Sequence, residues 1–190
     1  MKGFIREERR FSLCGLSCAL CPMQLGGYCP GCGGGEGNQS CAIARCSLEH
    51  GGLQFCWDCP DYPCPRFRGF DEADSFVPHS HRRQDIARAR KLGLEAFLAE
   101  TEEKRSILAA LLKDYNDGRR KTFFTTAVYL LPLEELRSVT AALESRPGLA
   151  GLPVKERAEA AAQLLRERAE CLGLSLKLNK ERKKGVRQWK

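Results

Sequence analysis

Ten cysteines fall within one stretch of the chain: Cys14, Cys18, Cys21, Cys29, Cys32, Cys41, Cys46, Cys56, Cys59 and Cys64. They are separated in turn by three, two, seven, two, eight, four, nine, two and four residues. A two-residue gap lets both sulfurs of a pair converge on one ion within a single tight turn. Three pairs have that gap: Cys18/Cys21, Cys29/Cys32 and Cys56/Cys59. Cys41 and Cys46, four residues apart, also fall in the accepted ligand range. Cys29-Pro30-Gly31-Cys32-Gly33 has the form of a zinc knuckle, in which glycine permits the turn after the second ligand. The chemistry this pattern offers is coordination of a soft cation by thiolates, and all ten cysteines are candidate metal ligands.

Zinc is the first reading of the metal, because it favours closed four-thiolate sites. Ten ligands would supply two such Zn(2+) ions and leave two cysteines over, with Cys14 and Cys64 the candidates for the remainder. The alternative is an iron–sulfur redox or accessory protein carrying a [4Fe-4S] cluster, since cysteines in close groups followed by proline also hold clusters. Cys14-x3-Cys18-x2-Cys21 has the spacing of radical S-adenosylmethionine enzymes, but no alternation of strand and helix follows it, so that reading is rejected. Thiol–disulfide exchange fails on the same ground. His50, four residues after Cys46, would complete a mixed site but reads as a solvated loop histidine. His79 and His81 precede a helix and read as capping or surface residues. Cys171 stands apart inside an amphipathic helix, where it reads as a small buried hydrophobe.

The elements that must hold these residues divide sharply. Gly and Pro punctuate nearly every cysteine, which predicts loops with little regular structure and tight turns that aim backbone amides at sulfur. Short regular pieces are expected only at 43–48 and 53–57, with a connector at 65–78. Phe55, Trp57, Tyr62, Phe67 and Phe70 are expected to form a miniature core over the metal site rather than a base-stacking platform. Beyond the connector the apolar periodicity is helical. Helices are expected over 82–100 with a break at Gly93, 102–115, 122–131, 133–144 and 154–172, then a short strand or extended arm at 174–178. In the last helix Val154, Ala158, Ala161, Leu165, Ala169 and Leu172 line one side. The expected fold is a small metal-stabilised Cys-knuckle domain followed by an all-α helical domain. Its parts are 1–70 (Cys-rich), 71–118 (helical, packed on it), 119–178 (C-terminal helical) and 179–190 (basic tail).

The chain of 190 residues is 43% hydrophobic and 29% charged, which excludes global disorder. No apolar run is long enough to span a membrane, and the charged start 1–10 lacks the apolar core of a secretory signal, so a cytoplasmic address and no membrane partner are expected. In a reducing compartment clustered cysteines are more often metal ligands than disulfides. Residues 173–190 carry 7 basic and 1 acidic side chains, an arm that could contact nucleic-acid phosphates, although base-reading motifs are missing. A protein partner is equally open. No Ser-His-Asp set, P-loop or dinucleotide fingerprint is present, and the function expected is a metal-binding protein acting as a binding or interaction module.

The cysteine stretch resembles a bacterial and archaeal family known as domain of unknown function 3795. The likeness is carried by Cys14-Gly15-Leu16 with Cys18 and Cys21-Pro22, by Cys29-x2-Cys32, Cys41 and Cys46, and by Phe55-Cys56-x2-Cys59 followed by Tyr62-Pro63-Cys64. Arg90 to Leu98 resembles the helix that follows in that family, so the likeness covers about 11–105. The segment Tyr115-Asn116-Asp117-Gly118-Arg119 is similar to an extension seen in some members. In that pattern position 50 is usually not histidine. The resemblance implies metal binding and implies no reaction.

Overall fold

Where glycine and proline interrupt the chain, regular structure is short. The computed structural model of the chain describes residues 3–35 and 41–180. Before residue 80 it holds only two α-helices, α1 (Pro22–Leu25) and α2 (Ala42–Glu49), and four single 3₁₀ turns. Among the described residues there is no strand, only isolated bridges at Ile5 with Gly34 and Phe11 with Ser17. From Arg82 onward the chain is helical: α3 (Arg82–Leu92), α4 (Leu94–Asp114), α5 (Lys121–Leu130), α6 (Leu133–Glu144) and α7 (Val154–Cys171). A mostly helical protein with an irregular cysteine-rich N-terminal region is thus the architecture.

Two compact units result. The first, the cysteine unit, comprises the chain up to Leu98 together with the segment that begins at Leu178; the second, the helical unit, is Ala99–Lys177. In the cysteine unit Phe11 and Phe55 pack with Ile86 and Ala89 of α3 and with Phe97 and Leu98 of α4. Phe4, Leu13, Ile43, Ala44 and Phe67 form a second cluster, against which Cys14, Cys32, Cys56 and Cys64 pack. The aromatic residues around the last cysteines are therefore core. The 65–78 segment is more than a connector. It carries 3₁₀ turns at Pro65–Phe67 and Phe70–Glu72 and contributes the buried Phe67 and Val77.

In the helical unit α7 packs against α5 and α6. Ala158, Ala161, Ala162 and Leu165 are fully buried, and their small size lets the helix axes approach closely. The stripe is shorter than its periodicity suggests, because Val154 and Leu172 at its two ends are exposed. Cys171 is also exposed, which corrects its reading as a core thiol. It lies two residues beyond the buried Ala169, about 200° around the helix and so on the opposite face. α5 is buried from Phe124 to Leu130 and ends where Leu131 turns extended (ψ 140) before Pro132. Gly93 separates α3 from α4 at φ 85, ψ 145, a conformation open essentially to glycine alone. It merges the expected 102–115 helix with the end of its predecessor into one helix from Leu94.

The arm at 174–178 forms no strand. Of the expected basic tail, 181–190 lies outside the described residues. Asn179 is held in place: its amide donates to Asp74 Oδ2 at 2.7 Å, and its carbonyl accepts from the Asp74 amide at 2.7 Å. Lys180 Nζ donates to the Ser75 carbonyl. His79 is neither a cap nor a surface residue. It is buried, stacks on Phe70 and donates from Nδ1 to the Phe70 carbonyl at 3.0 Å, with Nε2 2.9 Å from Ser75 Oγ. Burial holds its pKa below the usual histidine range.

Candidate metal centre

Local turns present the sulfurs. In two of the three close pairs the second cysteine's amide donates to the first cysteine's carbonyl across a 3₁₀ turn, Cys21 to Cys18 at 2.9 Å and Cys59 to Cys56 at 3.1 Å. Asp58 closes the second turn by accepting the Phe55 amide at 3.1 Å. Around the third pair, the Cys29 amide donates to the Met23 carbonyl at 3.0 Å and the Gly34 amide to the Gly31 carbonyl at 3.1 Å. Cys41 stands at the N-cap of α2 and Cys46 within that helix. None of the eleven cysteines forms a disulfide.

The sulfurs influence one another across the unit, although among the described residues no three of them lie within 4.8 Å of one another. Burial pushes the Cys14 thiol up to about 11, and Cys32 and Cys41 add to the shift by repulsion between would-be thiolates. Burial also raises Cys18, with Cys32, Cys14 and Cys21 contributing, and Cys21, with Cys29 contributing. Cys56 is raised by burial and then by Cys14, Cys64, Cys46 and Cys32. Opposing these effects, backbone amides face the sulfurs: those of Met23 and Gln24 at Cys21, Leu16 at Cys14, Cys32 at Cys18 and Leu13 at Cys32. Amides turned toward sulfur suit thiolate better than thiol. A group of close thiols that are costly to ionise alone and are already offered amide donors fits a bound soft cation, whose charge removes the repulsion.

Arg6 supplies the clearest test of that fit. Its side chain is 1% exposed. Nε donates to the Gln54 carbonyl at 2.7 Å, and Nη1 donates to the carbonyls of Phe11 at 3.1 Å and Cys32 at 3.2 Å. The guanidinium lies 4.8 Å from the Phe55 ring centre, and Nη2 has no hydrogen-bond partner. No carboxylate pairs with it among the described residues. Its charge bears on the Glu8 carboxylate and on Cys32, where it opposes the burial that raises that thiol. Gly33 makes room for it: a Cβ there would come within 2.7 Å of the Arg6 side chain. A buried cation is favoured by nearby negative charge, and thiolates at the neighbouring cysteines would add to what Glu8 supplies.

A cavity of about 30 Å³ gathers Cys46, Cys56, Cys59 and Cys64 with His50, over a floor of Leu13, Ile43 and Phe67. At its rim two donor groups share His50, one with Cys46 and Glu49, the other with Cys59 and Asp61. Within each, the ligand atoms lie within 4.8 Å of one another. Cys46, Cys56, Cys59, Cys64 and His50 are thus brought to one place, while Cys14, Cys18, Cys21, Cys29, Cys32 and Cys41 influence one another elsewhere in the unit. Sequence reasoning set His50 aside and did not single out Arg6, Glu49 or Asp61. The spacing of His50 from Cys46, one helical turn, was the available signal. Arg6, in a run of surface-like charges, offered none.

Comparison with known proteins yields no match, whether to family models, to curated proteins or to solved structures.

Proposed function

We propose that this chain is a metal-binding protein whose clustered cysteines hold zinc, about two ions, and that the assembled cysteine unit serves as a binding module for another protein rather than as an enzyme. The observation that carries this reading is Arg6, a fully buried positive charge with no direct ion pair among the described residues and with the Cys32 thiol as well as the Glu8 carboxylate in its field. Four-thiolate zinc carries a net negative charge, so the centre and Arg6 neutralise each other. The knuckle form of Cys29–Cys32 and the resemblance of the cysteine pattern to domain of unknown function 3795 support the same reading. The basic segment 173–190 adds a surface for nucleic-acid phosphates. A cytoplasmic address agrees with eleven unbridged cysteines. In the described residues, no helix is long and apolar enough to cross a membrane.

One observation favours a second reading. Cys14 and Cys21 both influence the Cys18 thiol, and their x3–x2 spacing is one that a [4Fe-4S] cluster could use. Elemental analysis and a visible spectrum of anaerobically purified protein separate the two. A colourless protein with about two zinc ions is expected. A brown protein absorbing near about 400 nm would replace zinc by iron–sulfur, and protein free of both metals would sink metal binding altogether.

A further inference from the structure

The cavity at the end of α2 differs chemically from the rest of the cysteine unit. Cys14 and Cys18 are surrounded by other thiols and by backbone amides, and burial dominates their environment. At the cavity, by contrast, the half-buried Cys46 and Cys59 meet an exposed imidazole and two exposed carboxylates. The ring of His50 is already oriented. Nδ1 lies 2.8 Å from the Cys46 carbonyl, to which only an N–H can donate, so the lone pair of the neutral ring sits on Nε2. A backbone carbonyl that fixes the tautomer in this way is the usual support of a metal-ligating histidine. Nδ1 is also 3.7 Å from Cys46 Sγ, so the ring and this thiol share one side of the cavity. Glu49 is not committed to the site alone, since it also pairs with Arg66 at 3.8 Å, a long and exposed contact.

We infer that this cavity is a separate, open metal position for a thiophilic divalent cation of the zinc type, in which Cys46 and Cys59 supply thiolates, one of the cavity-lining Cys56 and Cys64 adds a third, and His50 is the exchangeable fourth ligand on the solvent side. The inference rests on the metal-binding reading and adds what that reading lacks, a division of labour between sites. Closed four-thiolate positions hold their ion structurally, whereas a site with a solvent-side imidazole and adjacent carboxylates can take up and give up an ion without unfolding its surroundings. Asp61 and Glu49 flank His50 and would meet a cation first. Ten cysteines then need not divide evenly into fours, because one position is completed or capped by a residue of another type.

The test uses the full-length protein loaded anaerobically with zinc and challenged with a chromophoric chelator, and in parallel loaded with cobalt(II). Wild type is expected to release zinc in two phases. In His50→Ala the fast phase should accelerate at least about tenfold, the scale on which supporting residues act at metal sites. The slow phase should stay where it was, and the cobalt d–d bands should shift. His50→Cys, which keeps a ligand at this position, should slow the fast phase again. This rescue would not occur if His50 served only to finish the helix. Release kinetics and cobalt spectrum both unchanged in His50→Ala would overturn the inference while leaving metal binding intact. Wild type that binds neither ion would instead overturn the reading beneath it.

Discussion

In the helical unit Phe124, Val128, Leu131, Leu136, Ala161 and Leu165 are all fully buried, and no arginine there is fully buried among the described residues. In the cysteine unit the fully buried side chains include Phe11 and Leu13 but also Arg6 and Arg82. The two arginines part company in turn. Arg82 meets Asp71 through two hydrogen bonds, 2.5 and 3.1 Å, and lies over the rings of Phe67 and Phe70. Arg6 has carbonyls, one ring and a thiol. Among the described residues the buried side chains of the helical unit are apolar or threonine, and its ion pairs, such as Arg137 with Glu103, lie nearer the surface. The other unit has placed charge in its interior, and for Arg6 that charge meets no direct ion pair among the described residues, with Glu8 and the Cys32 thiol in its field.

The largest expected effect separates the units outright. A structural zinc contributes apparent binding free energies of roughly 10–16 kcal/mol, on the scale of a whole domain's stability. Chelation should therefore abolish amide protection in residues 3–98 and leave α5, α6 and α7 protected, as read by hydrogen exchange with mass spectrometry. Native-like protection of both units in metal-free protein would show that the cysteine unit needs no metal. The reverse experiment is Leu165→Ala, a cavity at the centre of α7. It should cost the helical unit about 2–5 kcal/mol in denaturant unfolding without altering metal content.

The arginine pair sharpens the contrast within one unit. Arg6→Met should weaken metal binding by about 10–100-fold, the range found for groups that support ligands. Arg82→Met should leave the cobalt(II) d–d bands, which Arg6→Met should shift, unchanged, and should lower the stability of the metal-loaded unit, and with it the apparent metal affinity, by about 1–3 kcal/mol. That is less than for a fully buried pair, since Asp71 is 26% exposed and also meets Arg83 at 3.1 Å. Cobalt(II) spectra left unchanged by both variants would remove the special standing of Arg6.

Acidity offers a finer probe. Metal displaces thiol protons, so affinity must rise with pH until the thiols of the metal-free chain ionise by themselves. In a folded metal-free unit Cys14 stays protonated to about 11. Its raised pKa favours that folded form below about 9, and the advantage is lost as pH rises towards about 11. In an unfolded unit the thiols ionise near about 8.5. A metal-affinity profile levelling off near pH 9 is expected, as for a disordered metal-free unit; one that climbs towards 11 would mean that the unit stays folded without metal. The smallest effect belongs to Cys171→Ser. Its exposed thiol lies in the helical unit, and neither metal content nor melting temperature should change.

Much of the helical unit was legible in the sequence because its signals are local. The helix over Leu133–Glu144 follows from its proline and its apolar spacing, and the breaks at Gly93 and Pro132 follow from backbone sterics. The exposed ends of α7 were not legible, since periodicity gives a face but not how far a neighbour covers it. In the cysteine unit the reverse holds. The ligand types could be read from spacing, yet their grouping depends on contacts between residues far apart in sequence. The Cys56 amide bonds to the Leu13 carbonyl at 3.0 Å, and the Arg6 amide to the Gly33 carbonyl at 3.1 Å. His50 was discounted because exposure alone makes a histidine look idle. Arg6 was invisible because a charge in a charged lead-in gives no hint of burial.

The return of Asn179 to Asp74 makes the helical unit an insertion: residues 99–177 leave the cysteine unit and the chain rejoins it. A folded module with both ends pinned is a closed loop, and closing a loop removes configurations from its unfolded chain rather than adding contacts to its folded one. While the cysteine unit stays assembled, the helices inside that loop unfold into a smaller set of conformations. Once the base opens, they unfold into the larger set of a free chain. Helices that carry no candidate ligand therefore draw part of their stability, through chain entropy, from the closure of the unit that holds both their ends.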